Sequence, residues 1–524
     1  MKWLYAIPVF ALAALLVIFI WLSRLEYAGP PHVELMLEGD VPATFYLPPD
    51  PQQGPNSRWG LGEPTSSKKP ATLVLAHGFA MDRASLSTLA RSVAQAGYAV
   101  MVIDLRGHGE NRNAFNQGRG TDAMALEDIA TAVDFLRTSP HVDGNRIVVG
   151  GHSMGAGASL VYGGSDPGID GLILISGGWG LRGPHRPSNP LFLMAAEDPA
   201  GIRDQMAVVA GELAGEKILE SGNTVGDLSR GTGVRLVSVP GTGHVDVIQS
   251  EGAIAEVVAW MDAIYGEERA AALPWVDERQ RVVGLGFLVL LFVFPGIGGV
   301  IGRLSPHVTE RPASGVLPRL AIFSGVLLLT LPLVALGEPG SLLNLAVADG
   351  VVAQLFYVGM ILLVGLALGN RPSLGSRAGR WDQAFLAAAV GMIVVYALLI
   401  PLFMSQHRMS LTPERALLGL LTALALIPFT LSENVLLRRG SAWVSTLTIL
   451  LGRAVVVVVL GIGVVTEIVP GVVGLMLPLL AGFFFFFEFV ALPIYAGSRN
   501  VVTVSLLEAL WLAWTFAAVL PVNL

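Results

Sequence analysis

The chain has 524 residues, of which 53% are hydrophobic and 14% charged, with a formal net charge of −7 and no cysteine. That length exceeds one ordinary domain; the missing cysteines exclude disulfides, thiolate catalysis and Cys-based metal sites, and the lack of any basic stretch argues against nucleic acid as a partner. Charge divides the chain in two: residues 22–281 hold 20 Lys/Arg and 31 Asp/Glu, the remainder only 13 and 9, so an acidic soluble domain is joined to membrane protein.

Residues 3–22 (WLYAIPVFALAALLVIFIWL) are apolar and long enough to cross a bilayer core, with Lys2 before them and Arg24 after. A cleaved signal peptide has a shorter apolar region followed by a small-residue cleavage site. Here Trp21, Leu22, Ser23 and Arg24 follow, so residues 1–23 are expected to be an uncleaved signal anchor. Residues 33–47 read as two short strands around a Gly39-Asp40 turn. Residues 48–70, rich in Pro, Gly and Ser, read as an exposed loop.

From residue 71, apolar strand-like runs (71–76, 98–103, 145–150, 170–175, 190–195, 234–239) alternate with helical stretches near 84–96, 121–138, 154–162, 202–220 and 246–265. Continuous apolar runs separated by helices predict a mostly parallel sheet covered on both faces, an α/β domain over 24–281. Its ligand site belongs at the carboxyl ends of the strands. From 282 to 524 the expectation is an all-α transmembrane domain of about eight helices, at 282–302, 319–337, 350–369, 384–404, 416–436, 443–465, 470–492 and 501–520. Loops on one side carry Arg303, Arg311, Arg319, Arg371, Arg377, Arg380, Arg438, Arg439 and Arg499, and those on the other only Arg408 and Arg415. An excess of Arg marks the cytoplasmic side. Nine spans are therefore expected in a bacterial plasma membrane, with the N-terminus in, the C-terminus out and the α/β domain extracytoplasmic.

Residues 151–155 read Gly-His-Ser-Met-Gly, a G-x-S-x-G elbow placed after a strand and before a helix. The turn is sharp, small residues at Gly151 and Gly155 let the backbone pass closely, and the helix N-terminus offers free N–H groups to a reacting centre. Ser153 is the candidate nucleophile. His77-Gly78-Phe79 ends the strand at 71–76, so the N–H groups of Phe79 and Met154 are the candidate oxyanion donors. Asp198 follows the strand 190–195 and His244 the strand 234–239, giving the chain order Ser, Asp, His. Glu197 is the rival acid, and Asp246 beside His244 a weaker one.

On these residues, 33–265 resembles the α/β-hydrolase superfamily, in its monoglyceride-lipase-like, serine-aminopeptidase-like and dienelactone-hydrolase-like branches. His77-Gly78 matches the oxyanion-turn HG motif, and Asp104-Leu105-Arg106-Gly107-His108-Gly109 the D-x-R-G-H-G turn. Gly151 to Gly155 match the elbow, Asp198 the acid and His244 the base. The resemblance implies hydrolysis of an ester or amide through an acyl-enzyme, with no cofactor and no metal, and structural roles for His108 and His152. Asp104 and Arg106 are expected to form a structural pair.

Only about 14 residues (176–189) lie where relatives insert a large lid, enough for a short flap with Trp179 and Leu181. An anchored domain with an open site favours a lipid or acylated small-molecule ester, with membrane lipids as neighbours. A serine peptidase stays open, as does a transporter or assembly protein that uses the hydrolase domain for binding. In the membrane half, Glu433, Arg453, Glu488 and Glu508 fall within or near spans, where charge is costly. Glu488 stands out within FFFFFEFV; a proton or substrate path and an internal ion pair of Arg453 with Glu488 or Glu508 are the two readings.

Overall fold

The computed structural model describes residues 3–49, 69–115, 121–268, 277–308, 315–336, 343, 345, 348–368, 380–404, 407–409, 411–469 and 471–522. Most of the loop read at 48–70, together with Lys2, Arg311, Arg371 and Arg377, lies outside the described residues. The chain forms two compact units. One comprises Trp21–Val282 with Phe403–Arg408 and Pro521–Leu524; the other comprises Met1–Ile20, Val283–Leu402 and Met409–Leu520.

The first unit is built on a nine-stranded sheet: β1 (His32–Leu37), β2 (Val41–Tyr46), β3 (Thr72–Ala76), β4 (Ala99–Ile103), β5 (Ile147–His152), β6 (Gly171–Ile175), β7 (Pro190–Ala195), β8 (Thr224–Val225) and β9 (Val234–Val239). Their order is β1-β2-β4-β3-β5-β6-β7-β9-β8. β1 and β2 form a hairpin whose turn holds Gly39 and Asp40 at φ 69° and 59°, residue types that tolerate the left-handed region. β2 joins β4 antiparallel, β8 joins β9 antiparallel, and the strands from β4 to β9 are parallel.

The parallel strands β3 to β7 are buried on both faces, which is why they read as unbroken apolar runs. Helices α2 (Ser87–Gln95) and α6 (Glu251–Tyr265) put Leu89, Val93, Ile254 and Val257 into one cluster with Leu73, Leu75, Val100 and Val102. Leu73 and Leu75 are two residues apart and so share a sheet face. Helices α3 (Thr121–Thr138) and α4 (Met154–Gly163) are paired with each other, and α4 lies along β5 and β6. Glycine makes that close approach possible. A Cβ on Gly155 would fall 2.6 Å from the His77 carbonyl oxygen, and one on Gly151 the same distance from the Gly155 carbonyl carbon. Helix α5 (Ala200–Ala214) lies on β7 and β9.

The second unit is helical. Most of α1 (Trp3–Ala28) belongs to it, with α7 (Arg279–Leu304), α8 (Val316–Leu336), α9 (Ala348–Leu368), α10 (Trp381–Phe403), α11 (Pro413–Leu437), α12 (Ala442–Val465), α13 (Val472–Ser498) and α14 (Val501–Val519). Among the described residues eight of these helices are long and apolar enough to cross a membrane, and α8 contributes a shorter apolar run, Val316–Pro332. Apolar residues face outward here and charges face inward. Leu329 is 76% exposed and Val465 84%, whereas Arg453 is 1% exposed and Glu433 and Glu508 are fully buried. This inverts the pattern of a water-soluble bundle.

Three arginines read as loop charges lie in or at the end of helices, among them Arg303 in the last turn of α7. Arg319 lies in α8, buried, and donates to the carbonyls of Leu436 and Leu437; Arg438 caps α11 and is fully buried. Arg415, read on the opposite side, likewise lies buried in α11 and donates to the carbonyls of Ala517 and Leu520. Among the described residues, Arg380, Arg439 and Arg499 then remain outside helices on the first side, against Arg408 on the other.

Candidate active site

The parallel ladders each run one residue past the strand ends, and this lines up the candidate residues. Ser153 N–H donates to the Ile175 carbonyl at 2.8 Å, Ser176 N–H to Leu193 at 2.7 Å, and Ala196 N–H to Val239 at 3.1 Å. The carboxyl ends of β5, β6, β7 and β9 thus converge, where a ligand site is expected in an open α/β sheet.

Ser153 sits between β5 and α4 at φ 52°, ψ −113°, a strained conformation for a side-chain-bearing residue. Gly78, Gly151, Gly155 and Gly177 leave room for that turn; a Cβ on Gly177 would lie 2.9 Å from Ser153 Cα. His244 Nε2 is 3.1 Å from Ser153 Oγ, and its Nδ1 is 2.6 Å from Asp198 Oδ1. The imidazole is mostly buried and the Asp198 carboxyl fully so. Burial alone would push the Asp198 carboxyl up. Hydrogen bonds from His244 and Ser176 outweigh burial and hold it below the ordinary carboxylate range.

Between the rival acids the geometry separates cleanly. Glu197 is exposed, and its N–H donates to the Thr242 carbonyl. Asp246 is exposed and accepts from Gly243 N–H at 2.9 Å, closing its own turn. Only Asp198 of the three meets the His244 ring among the described contacts. Sequence reading missed Ser176, whose Oγ donates to Asp198 Oδ2 at 2.6 Å while Ala195 N–H reaches the same oxygen at 2.9 Å. The available signal was position: Ser176 follows β6 as Ser153 follows β5, and it too has a positive φ, 45°.

The turn after β3 lies against the serine. A Cβ on Gly78 would be 3.3 Å from Ser153 Cβ and 2.8 Å from His152 Nδ1. Next to Gly78 comes Phe79, and Met154 is the first residue of α4, so both candidate oxyanion donors flank Ser153 along the chain or across that contact. His77 is locked: Nδ1 lies 2.8 Å from the Gly78 carbonyl and so carries its proton, while Nε2 accepts from Leu105 N–H at 3.0 Å. Burial lowers its basicity, in keeping with a neutral ring. His152 Nε2 donates to the His244 carbonyl at 2.7 Å, and burial, then the neighbouring His244, push its pKa down to about 3. His152 therefore supports the backbone of His244 as a neutral donor. His108 stacks edge-on against His77 and Phe115, each with ring centres 5.1 Å apart.

The expected Asp104–Arg106 pair does not form. Asp104 is paired with Arg83, whose own N–H also donates to it at 2.7 Å, and Arg106 is paired with Asp128 at 3.1 Å and Glu127 at 2.8 Å. The reason is topological. β3 and β4 are adjacent, so the segments that leave them meet at Asp104 and Arg83, whereas Arg106 turns away toward α3.

The sheet order, the Gly-x-Ser-x-Gly elbow and the helices on both faces define an α/β-hydrolase fold. Residues 67–201 match the family described as serine aminopeptidase, S33. A monoacylglycerol lipase of Mycolicibacterium smegmatis is 33% identical over 111 residues, 20% of this chain and 36% of that protein. An uncharacterized 31.7 kDa protein of Escherichia coli is 33% identical over 95 residues, 18% of this chain and 32% of that one. The chain spans about a third of the length of these curated relatives. Two solved structures align with 45% of this chain at 15% identity and a TM-score of 0.32. One is a hypothetical protein from Pseudomonas aeruginosa, covered over 94% of its length; the other is a putative dienelactone hydrolase from Klebsiella pneumoniae, covered over 98%. Over the stretch they cover, the family match and the lipase relative make this chain similar to hydrolases of the lipase- and aminopeptidase-like kind.

Proposed function

We propose that the chain is a membrane-anchored serine hydrolase that cleaves a carboxylic ester, or an amide, through an acyl-enzyme on Ser153. The observation that carries this reading is the hydrogen-bonded series Ser153 Oγ, His244, Asp198, at 3.1 and 2.6 Å, on a strained elbow. His244 takes the Ser153 proton as Oγ attacks the carbonyl carbon, and the Phe79 and Met154 N–H groups receive the oxyanion. Asp198 fixes the tautomer with Nδ1 protonated and stabilises the imidazolium. His244 then hands its proton to the leaving group, and water, activated by the same imidazole, releases the acid and restores Ser153.

The substrate we infer is a lipid or acylated ester. The lipase relative supports an ester, and the segment 176–189, with no helix in it, leaves the strand ends without a large lid. The apolar exterior and charged interior of the helical unit support integral membrane placement, with residues 1–23 as signal anchor and 282–524 as the main membrane domain. The loop arginines support an extracytoplasmic hydrolase domain, N-terminus in and C-terminus out. A peptidase is the nearest alternative within the class, supported by the S33 match.

The test is labelling of isolated membranes with a fluorophosphonate probe. Wild-type protein is expected to label and Ser153→Ala to stay dark. Equal labelling of both, or no labelling of folded wild type, would sink the reading.

A further inference from the structure

Inside the helical unit five ionisable side chains meet away from solvent: Glu433 of α11, Arg438 at its cap, Arg453 of α12, Glu488 of α13 and Glu508 of α14, none more than 4% exposed. Their bonds are unequally shared. Glu488 receives Arg438 at 2.5 and 3.1 Å, Arg453 at 2.8 Å and the Thr446 hydroxyl at 3.3 Å. Glu508 receives Arg453 and, at 3.0 Å, the Asn434 amide. Asn434 in turn accepts from Arg438 Nε at 2.7 Å. Glu433 is left over. Its Oε2 is 3.5 Å from Arg453 Nη2; its Oε1 is 3.4 Å from Arg453 Nε and accepts no hydrogen bond, although it is fully buried.

Three other charged or polar groups on neighbouring helices are engaged elsewhere. Arg319 of α8 donates to the carbonyls of Leu436 and Leu437 at the end of α11. Asp349 of α9 accepts from the N–H groups of Leu343 and Leu345. Ser505 of α14 donates to the Thr430 carbonyl. Gln354 of α9 is buried and uncharged, and neither of its amide atoms has a hydrogen-bond partner among the described residues.

The network thus holds three carboxyls against two guanidiniums. With all five ionised it carries one uncompensated negative charge in a medium that solvates charge poorly. Glu433 is the carboxyl with the longest pairing, one hydrogen bond from Arg453 at 3.5 Å and its other oxygen without one. We propose that Glu433 is a proton-binding site, independent of the hydrolytic residues, whose ligand is a single exchangeable proton. Protonation at its carboxylate neutralises the excess charge and leaves two guanidiniums matched to two carboxylates. Release of that proton to water requires a second arrangement in which Arg453 closes in from its present 3.4–3.5 Å or water reaches the carboxylate, so proton exchange there is coupled to a rearrangement of α11 and α12.

The experiment is infrared difference spectroscopy on the full chain reconstituted in lipid at neutral pH, in sodium-free buffer and with sodium added. Wild type is expected to show the C=O stretch of a protonated carboxyl, shifted in deuterated buffer and absent from Glu433→Gln. A band that persists in Glu433→Gln, or no such band in wild type, overturns the assignment. A band that sodium abolishes assigns the site to sodium rather than a proton, and also overturns it. Because the amide is isosteric with the protonated acid, Glu433→Gln should keep the wild-type melting temperature; failure to recover it folded counts against the proposal.

Discussion

Asp198→Asn separates the three bonds that converge on one carboxyl. Oδ1 receives His244 Nδ1–H, while Oδ2 receives Ser176 Oγ–H and Ala195 N–H. An asparagine has one oxygen and one NH2 to set against these donors. With its oxygen toward Ser176 and Ala195 it keeps two bonds, but the NH2 then faces His244, and the ring answers by moving its proton to Nε2. In that tautomer Nε2 points a proton at Ser153 and is no base. With the amide reversed the tautomer survives, but the NH2 faces Ala195 N–H at a spacing of 2.9 Å, leaving that N–H only its longer 3.3 Å bond to Ser176 Oγ, and loss of a buried hydrogen bond costs about 1 kcal/mol before the clash of two donors is added. The first arrangement wins. Losing the correct tautomer and the stabilisation of the imidazolium predicts a fall in kcat of about 10⁴, equivalent to about 5.4 kcal/mol in the barrier. The folded state loses far less, because two of the three bonds persist. The assay is the rate of fluorophosphonate labelling and of hydrolysis of a short-chain nitrophenyl ester, with the melting temperature read on the same sample. A rate within about tenfold of wild type, or an equal loss in Glu197→Gln, would refute the argument.

Two further outcomes follow from the same neighbourhood. Ser176→Ala removes one of the donors to Asp198 Oδ2 and should lower kcat about tenfold with about 1 kcal/mol of stability, the size of one buried hydrogen bond; an unchanged kcat would show that Ser176 does not position the acid. His152 is a base whose pKa is lowered from the ordinary 6.5 to about 3 in the folded chain, so the unfolded chain binds more protons between those values and stability falls as pH drops below about 6.5. Between pH 7 and pH 5.5 its share is a loss of about 1.3 kcal/mol. His152→Gln, which retains a donor for the His244 carbonyl, should flatten the dependence by that amount in denaturant titrations of the full chain at the two pH values; parallel profiles would contradict it.

The serine, its elbow and its base were legible because each depends on local order: a strand, a short turn, a helix, and small residues where backbone passes backbone. The alternation of apolar runs with helical stretches likewise made the parallel sheet readable, since burial on both faces leaves a direct trace in composition. What escaped the sequence depended on which strands lie side by side. Ser176 meets Asp198 because β6 neighbours β7, and Arg83 meets Asp104 because β3 neighbours β4; nothing in either local segment announces its partner. Contrast also misled. Glu488 stands out among phenylalanines, yet it is the best satisfied carboxyl of its network, and the less conspicuous Glu433 is the worst. Isolation in sequence and isolation in space are different quantities.

The same network acts as a mechanical key. Arg438, Arg453, Glu488 and Glu508 tie α11, α12, α13 and α14 at one level through bonds that tolerate little sliding. Moving one helix past another by a single turn, about 5.4 Å, would separate every guanidinium–carboxylate pair across that boundary at once. A second state of this bundle that keeps its ion pairs would exchange partners around a nearly fixed axial register, a rotary kind of motion rather than gradual shear.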